Sequence, residues 1–292
     1  MKKCAFFCPS SIYVSEKVIK IGHFRRKSDS KVIQRYRCLH CKKSFSAATH
    51  SDLRGQNKRR CNTAVYRLVC SGVSQRRAAI LLNINKITVV RKFRFMANKL
   101  GANGLLTKCT LPPEKVREIQ FDHMETFEHT KLKPISILVV VDKTTRKILA
   151  AKACSSPAKG LLVEKSIKKY GKRQDDRMQV MKEAFREIAK VYPYIEKIES
   201  DKSPLYPQVI RDHFPTAKYK QYKGRRGCVT GQGELKSGGY DPLFSLNQTC
   251  AMFRANMNRL FRRSWCTTKK CADLNIHLSL YGHYHNSVLT KV

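Results

Sequence analysis

The segment Pro134–Asp142, which reads Pro-Ile-Ser-Ile-Leu-Val-Val-Val-Asp, restricts the fold more than any other stretch of the chain. It is too short for a fully buried helix, is dominated by β-branched side chains, and lacks the alternation of a strand with one wet face. A central strand covered on both faces suits it, so a sheet between two layers is required. Its neighbours fix the local topology. Val116–Phe127 and Ile148–Cys154 also read as strands, and the turns Thr130–Pro134 and Asp142–Arg146 are too short for a crossover helix. The three strands should therefore form an antiparallel meander. Beyond them the pattern changes to alternating helices and short strands. Arg177–Tyr192 is amphipathic, with Met178, Met181, Phe185, Ile188 and Tyr192 on one face. A strand at Lys197–Ser200, a helix at Pro204–Phe214, a strand at Ala217–Tyr222, a long helix from Phe244 to Arg263 and a last helix over Ala272–His285 follow.

Charge then narrows the partner. The chain has 292 residues with 59 Lys+Arg against 21 Asp+Glu, a net +38. Self-repulsion on this scale opposes compaction, so a polyanion is the expected partner, and nucleic acid is the first choice. A membrane surface is the runner-up. No apolar run reaches the ~18 residues of a transmembrane helix, no secretory apolar region follows Met1, and the basic residues spread along the whole chain. The expected location is the cytoplasm, at the nucleoid, where thiols stay reduced and clustered cysteines read as metal ligands.

Of the 12 cysteines, only Cys4, Cys8, Cys38 and Cys41 cluster usefully. Cys38-Leu-His-Cys41 is a tight knuckle, whereas Cys4 and Cys8 have a looser spacing. With the basic, strand-like Val32–Arg37 between the pairs, residues 1–50 fit a Cys4 zinc ribbon, in which thiolate–Zn²⁺ bonds supply folding energy that so small a core cannot. If Cys4 does not bind, His40 or His50 completes the site. Residues 51–100 read as a helix-turn-helix. One helix covers about Thr63–Cys70; Ser74 caps a second with Ala78, Ala79, Leu81 and Leu82 inward; Asn85 caps a third with Ile87, Val90 and Phe93 or Arg94 at helical spacing. Lys86, Thr88, Arg91 and Lys92 should then face a DNA major groove. Residues 101–117 serve as a linker, and 118–292 as the catalytic domain.

Three antiparallel strands, a helix, a parallel strand, a helix, a fifth strand and a closing helix form the order of the RNase H/retroviral-integrase fold. There the first and fourth strands are neighbours, so Asp122 and Asp201 should point at a common spot. Each has an ordinary reading alone, Asp201 as a helix cap and Asp122 as a partner for a lysine. Together, two carboxylates can hold Mg²⁺, or Mn²⁺, for in-line displacement at phosphorus. The third ligand belongs at the start of the closing helix, where Asn247 stands; Glu234 and Asp241 are the rivals. From Asn247 a basic track continues through Arg254, Arg259, Arg262 and Arg263 to Lys269 and Lys270, with Trp265 interleaved, as DNA phosphates across a metal site would require. Residues 223–233 form a basic, glycine-rich loop without a Walker signature.

The chain resembles bacterial insertion-sequence transposases of the DDE type, specifically the superfamily of insertion sequence one and its relatives with Asn as third residue. The resemblance rests on Arg35-Tyr-Arg-Cys-Leu-His-Cys41 with Phe45, on Gln120-Phe-Asp122 with Glu125-Thr-Phe-Glu128, and on Ser200-Asp201. It extends to Asn247 with Arg254, Arg259–Arg263, Thr267-Thr-Lys269 and Tyr281…His285-Asn286. It implies a zinc ribbon, a helix-turn-helix and an RNase-H-like domain, with Asp122, Asp201 and Asn247 as the catalytic triad. It also implies double-stranded DNA partners, the transposon inverted-repeat ends and the target, and a homodimer or larger synaptic complex. The alternatives are a catalytically inactive DNA-binding protein derived from a transposase, favoured by the neutral Asn247, and a nuclease of the same fold acting on RNA–DNA hybrids.

Overall fold

The computed structural model describes residues 8–9, 17–27, 29–100, 111–223, 241–261 and 266–290. The chain divides into two units, residues 1–64 and Val65–Val292.

The first unit contains an antiparallel three-stranded sheet, β1 (Val18–Arg25), β2 (Val32–Cys38) and β3 (Ser44–Ser46). Strand β1 was not anticipated: Val18-Ile-Lys-Ile-Gly-His-Phe-Arg is mostly exposed and gives only weak alternation. The buried cluster here is small, comprising Cys8, Tyr36, Cys38 and Phe45. Tyr36 pairs with Phe45 across β2 and β3, and their rings stack at 5.7 Å.

The second unit is mixed α/β. Helix α1 (Asn62–Val69), whose first residues end the first unit, and helices α2 (Gln75–Leu81) and α3 (Lys86–Lys99) precede a five-stranded mixed sheet. Its strands are β4 (Glu118–Phe127), β5 (Pro134–Asp142), β6 (Ile148–Ser155), β7 (Lys197–Asp201) and β8 (Lys218–Tyr222), in the order β6-β5-β4-β7-β8. Strands β4, β5 and β6 form the antiparallel meander; β7 runs parallel to β4, and β8 parallel to β7. Every residue of β5 after Pro134 is buried because both faces are covered. Ile119, Phe121, Leu138 and Val140 pack with helices α5 (Arg177–Val191) and α6 (Tyr206–His213). Met124, Ile137, Val139 and Val141 face a second core built with α1–α3, α7 (Phe244–Asn256) and α8 (Cys271–Tyr284). Helix α4 (Val163–Tyr170), also unanticipated, leaves Val163 and Ile167 exposed, as is Leu161 in the turn before it.

The edge strand β6 is closed by amides. Asn286 accepts from the Ile148 N–H and donates to its carbonyl, both at 2.8 Å; Asn275 does the same for Ala153 at 2.7 and 3.0 Å. These side chains occupy the hydrogen-bonding positions another strand would take, blunting an exposed edge.

Two helical expectations are corrected. The helix expected over Phe244–Arg263 stops at Asn256. Its last carbonyl is taken by the Gly72 N–H at 2.7 Å, the chain turns extended at Met257, and Phe261 comes back against Gly72. Gly72 lies at φ +77, and a Cβ there would sit 2.9 Å from the Phe261 ring, so only glycine suits both conformation and contact. The caps Ser74 and Asn85 form as expected, accepting from Arg77 and Ile87 backbone N–H groups at 3.2 and 2.8 Å. The inward stripe of α3, however, is Val89, Lys92, Phe93 and Ala97. Lys92 is therefore buried, not outward, while Ile87 and, on α2, Leu81 are exposed. The expected stripe was rotated by one residue, about 100° around the helix.

Candidate functional site

Strand alternation and register assemble the site. Gln120 and Glu199 are partners across β4 and β7, as are Phe121 and Ser200, which puts Asp122 beside Asp201 on the face that carries α7. The two carboxyl groups act on each other's affinity for a proton. Asp122 is pushed well up, first by burial and then by the charge of Asp201; Asp201 is also raised, mainly by burial.

Their surroundings differ sharply from those of Glu199, two residues earlier on β7. Glu199 is buried, yet Lys197 at 2.8 Å, Gln120 at 2.8 Å, Lys143 at 3.1 Å and the Tyr222 hydroxyl at 3.0 Å all reach it. Burial alone would raise its carboxyl; these partners overcome that and hold it at about 2. Glu199 is thus a satisfied internal anion. Asp122 and Asp201 are not. No Lys or Arg pairs with either among the described residues, and Asp201 Oδ1 is buried without a hydrogen-bond partner among them. Two adjacent carboxylates with an orphaned oxygen are a donor set that could hold a hard divalent cation.

One side of Asp122 is fixed. Its Oδ1 accepts from the His123 N–H at 2.6 Å and from the Tyr206 hydroxyl at 3.4 Å, and Tyr206 Oη also meets His123 Nδ1 at 2.9 Å. Burial keeps His123 neutral, its imidazole pushed down to about 4. Tyr206 is raised, by burial and then by Asp122 and Asp201, and remains a protonated donor.

Helix α7 is positioned by Gln120. The Gln120 amide nitrogen donates to Glu199 and to the Pro242 carbonyl at 2.7 Å, and its oxygen accepts from the Leu246 N–H at 3.1 Å. Cys250, on the same helix, approaches Asp122; burial raises its thiol to about 12, so it stays protonated beside the carboxylates. Asn247 lies one turn before Cys250 on that flank. Its Nδ2 donates to Asp241 Oδ2 at 2.9 Å, so two of the three candidates for the third ligand are bonded to each other. Glu234, the remaining candidate, lies outside the described residues, as do Cys4, Arg262, Arg263 and Trp265.

The residues that sequence reasoning missed are Gln120, Glu199, Tyr206 and Lys143. A glutamine two positions before Asp122 in an apolar strand was visible, since period-two alternation places both on one face. The convergence of Tyr206 and Lys143 depends on strand pairing and carried no local sign. Glu125, an odd number of positions from Asp122 and so on the opposite face of β4, is exposed and salt-bridged to Lys159.

Among the basic residues expected to meet DNA, Lys86 and Arg91 are exposed on α3 and Thr88 is half-buried. Arg94, not anticipated as outward, is also exposed and pairs with Asp273 at 3.2 Å. Arg254 and Arg259 are half-buried.

In the first unit, Cys8, Cys38 and Cys41 bring their sulfurs within 4.8 Å of one another, and Cys8 and Cys41 Sγ are 3.3 Å apart. Tetrahedral Zn–S bonds of ~2.3 Å require sulfurs ~3.8 Å apart, so the cluster could hold such a metal after small adjustment. No helix among the described residues is long and apolar enough to cross a membrane. No protein-family model matches the chain, and comparison with curated proteins gives no significant match.

Proposed function

We propose that the chain is a DNA transposase of the DDE type, with an RNase-H-like catalytic domain, a helix-turn-helix over α2–α3 and a zinc ribbon around Cys8, Cys38 and Cys41. The observation that carries the reading is the pairing of Asp122 with Asp201 on adjacent strands, an oxygen of Asp201 lacking any partner among the described residues. In this reading Asp122 and Asp201 would hold Mg²⁺ or Mn²⁺, and Asn247 would add its neutral amide oxygen after releasing the hydrogen bond its Nδ2 donates to Asp241. Metal bound there would activate a water or a 3′-hydroxyl and stabilise the leaving oxygen at phosphorus.

The chain's own residues supply positioning. Tyr206 and the His123 N–H hold one carboxylate oxygen of Asp122, leaving the other for the ion. Gln120 keeps α7, and Asn247 with it, in register with the metal-binding strands. Lys86, Thr88 and Arg91 on α3, together with Arg254 further along α7, would meet double-stranded DNA, namely the inverted-repeat ends and the target. Paired ends imply a homodimer or larger complex, acting in the cytoplasm at the nucleoid.

Incubating the protein with its own element's ends and Mg²⁺ tests this. Strand joining should occur and disappear in Asp122→Ala and Asp201→Ala, with end binding retained. End binding without joining in the unaltered protein would instead mark an inactive DNA-binding derivative. Joining that survives both substitutions would reject the site.

A further inference from the structure

One cavity in the second unit carries chemistry that the aspartate pair does not use. It offers about 420 Å³, open on one side, between the start of α2, the turn following α7 and helix α8. Three cations line it, Arg76, Arg259 and Lys269, and no carboxylate does so among the described residues. Arg259 is desolvated: burial pulls its guanidinium below the usual range, opposed by Asp273, which is itself engaged by Arg94 at 3.2 Å. A cation removed from water is costly unless an anion and hydrogen-bond acceptors reach it.

His277 forms part of the opposite wall. His277 is 2% exposed, and its Nε2 donates to the Val69 carbonyl at 3.0 Å. That bond fixes the tautomer and leaves Nδ1 as an acceptor, and Nδ1 is buried with no hydrogen-bond partner among the described residues. Phe93 lies edge-on to the His277 ring at 5.4 Å, and Val73 adds apolar surface. The complementary ligand thus has an anionic end and a flat body tolerant of aromatic and apolar surroundings. Inorganic phosphate alone would occupy a small fraction of the space, whereas the volume lies in the range of small-molecule sites.

We propose that this cavity binds a single nucleotide unit, its phosphate against Arg76, Arg259 and Lys269 and its base between His277, Phe93 and Val73. Two sources share that chemistry, an unpaired nucleotide at the end of a DNA strand and a free nucleoside monophosphate. The pocket itself requires neither the divalent metal nor strand joining; only the strand-borne source rests on the DNA-binding reading. Arg259 accordingly changes role, from a link in an outward basic track to an inward anion ligand.

Calorimetric titration of the full chain with deoxyadenosine 5′-monophosphate, without divalent metal, tests the pocket. The nucleotide should bind at least about tenfold more tightly than inorganic phosphate or deoxyadenosine, and both Arg259→Gln and the exposed Lys269→Glu should weaken it by about tenfold or more. Competition by a duplex bearing one unpaired 5′ nucleotide, set against a blunt duplex of equal length, identifies the source. Better competition by the unpaired end assigns a strand nucleotide, and equal competition assigns the free nucleotide; either is consistent with the pocket. Absence of nucleotide binding, phosphate binding as tightly as the nucleotide, or affinity untouched by both substitutions would overturn the proposal. None of these results depends on whether the protein joins strands.

Discussion

Replacing Asp122 by Asn should stabilise the metal-free protein while abolishing strand joining. The amide oxygen can keep the bonds from the His123 N–H and Tyr206. Its new N–H₂ group faces the neighbouring Asp201, whose Oδ1 has no partner among the described residues. Two terms then favour the variant. A carboxyl raised by burial and a like charge costs on the order of 3 kcal/mol once ionised. A hydrogen bond to the remaining carboxylate adds ~1–2 kcal/mol. Together, ~4–5 kcal/mol in a unit of this size raises the melting temperature by roughly 8–20 °C. The pH dependence follows from the upward direction of the shift. The penalty is absent below the ordinary carboxylate range near pH ~4 and grows as pH rises through the folded-state value. The gain should therefore be largest at pH ~8 and fade towards pH ~4. Thermal unfolding across that range, with chelator present, measures it; added Mg²⁺ should then stabilise the unaltered protein much more than the variant. An equal or lower melting temperature for the variant at the alkaline end, or a gain indifferent to pH, would refute the reasoning.

Asn286→Ala strips the Ile148 N–H and carbonyl of their partners in a buried setting and should cost ~2–4 kcal/mol, read as a fall in denaturant midpoint at constant slope. Purified protein should carry about one zinc per chain, and Cys38→Ser should release it and expose residues 1–64 to proteolysis while the larger unit stays resistant. Arg91→Ala should weaken DNA binding across all sequences and lower the salt slope by ~1, whereas Lys92→Met should leave that slope unchanged because Lys92 is buried.

The sheet was legible because its evidence is local. An unbroken apolar strand with short flanking turns leaves little freedom beyond a meander, and the spacing of later apolar residues yields α5, β7 and α6 to within a few residues. Asp122 and Asp201 could be singled out because strand alternation places them on one face once β4 and β7 are neighbours. Other features depend on partners remote in the chain. Helix α7 ends early because Gly72 takes its final carbonyl, which nothing between Phe244 and Arg263 announces. Lys92 lies inward although its charge argued for the surface, since a long aliphatic stem fits a helix stripe that charge alone does not reveal. Strand β1 is too exposed to show alternation. The Asn275 and Asn286 amides that close β6 resemble ordinary polar residues until the edge strand beside them is known.

Diffraction from crystals soaked in Mn²⁺, with anomalous differences collected near the manganese edge, addresses the aspartate pair most directly. The account predicts a manganese peak between the Asp122 and Asp201 carboxylates, with Asn247 turned from Asp241 towards it, and no peak in Asp201→Ala. Manganese bound only elsewhere, or nowhere, under conditions that support strand joining would contradict it.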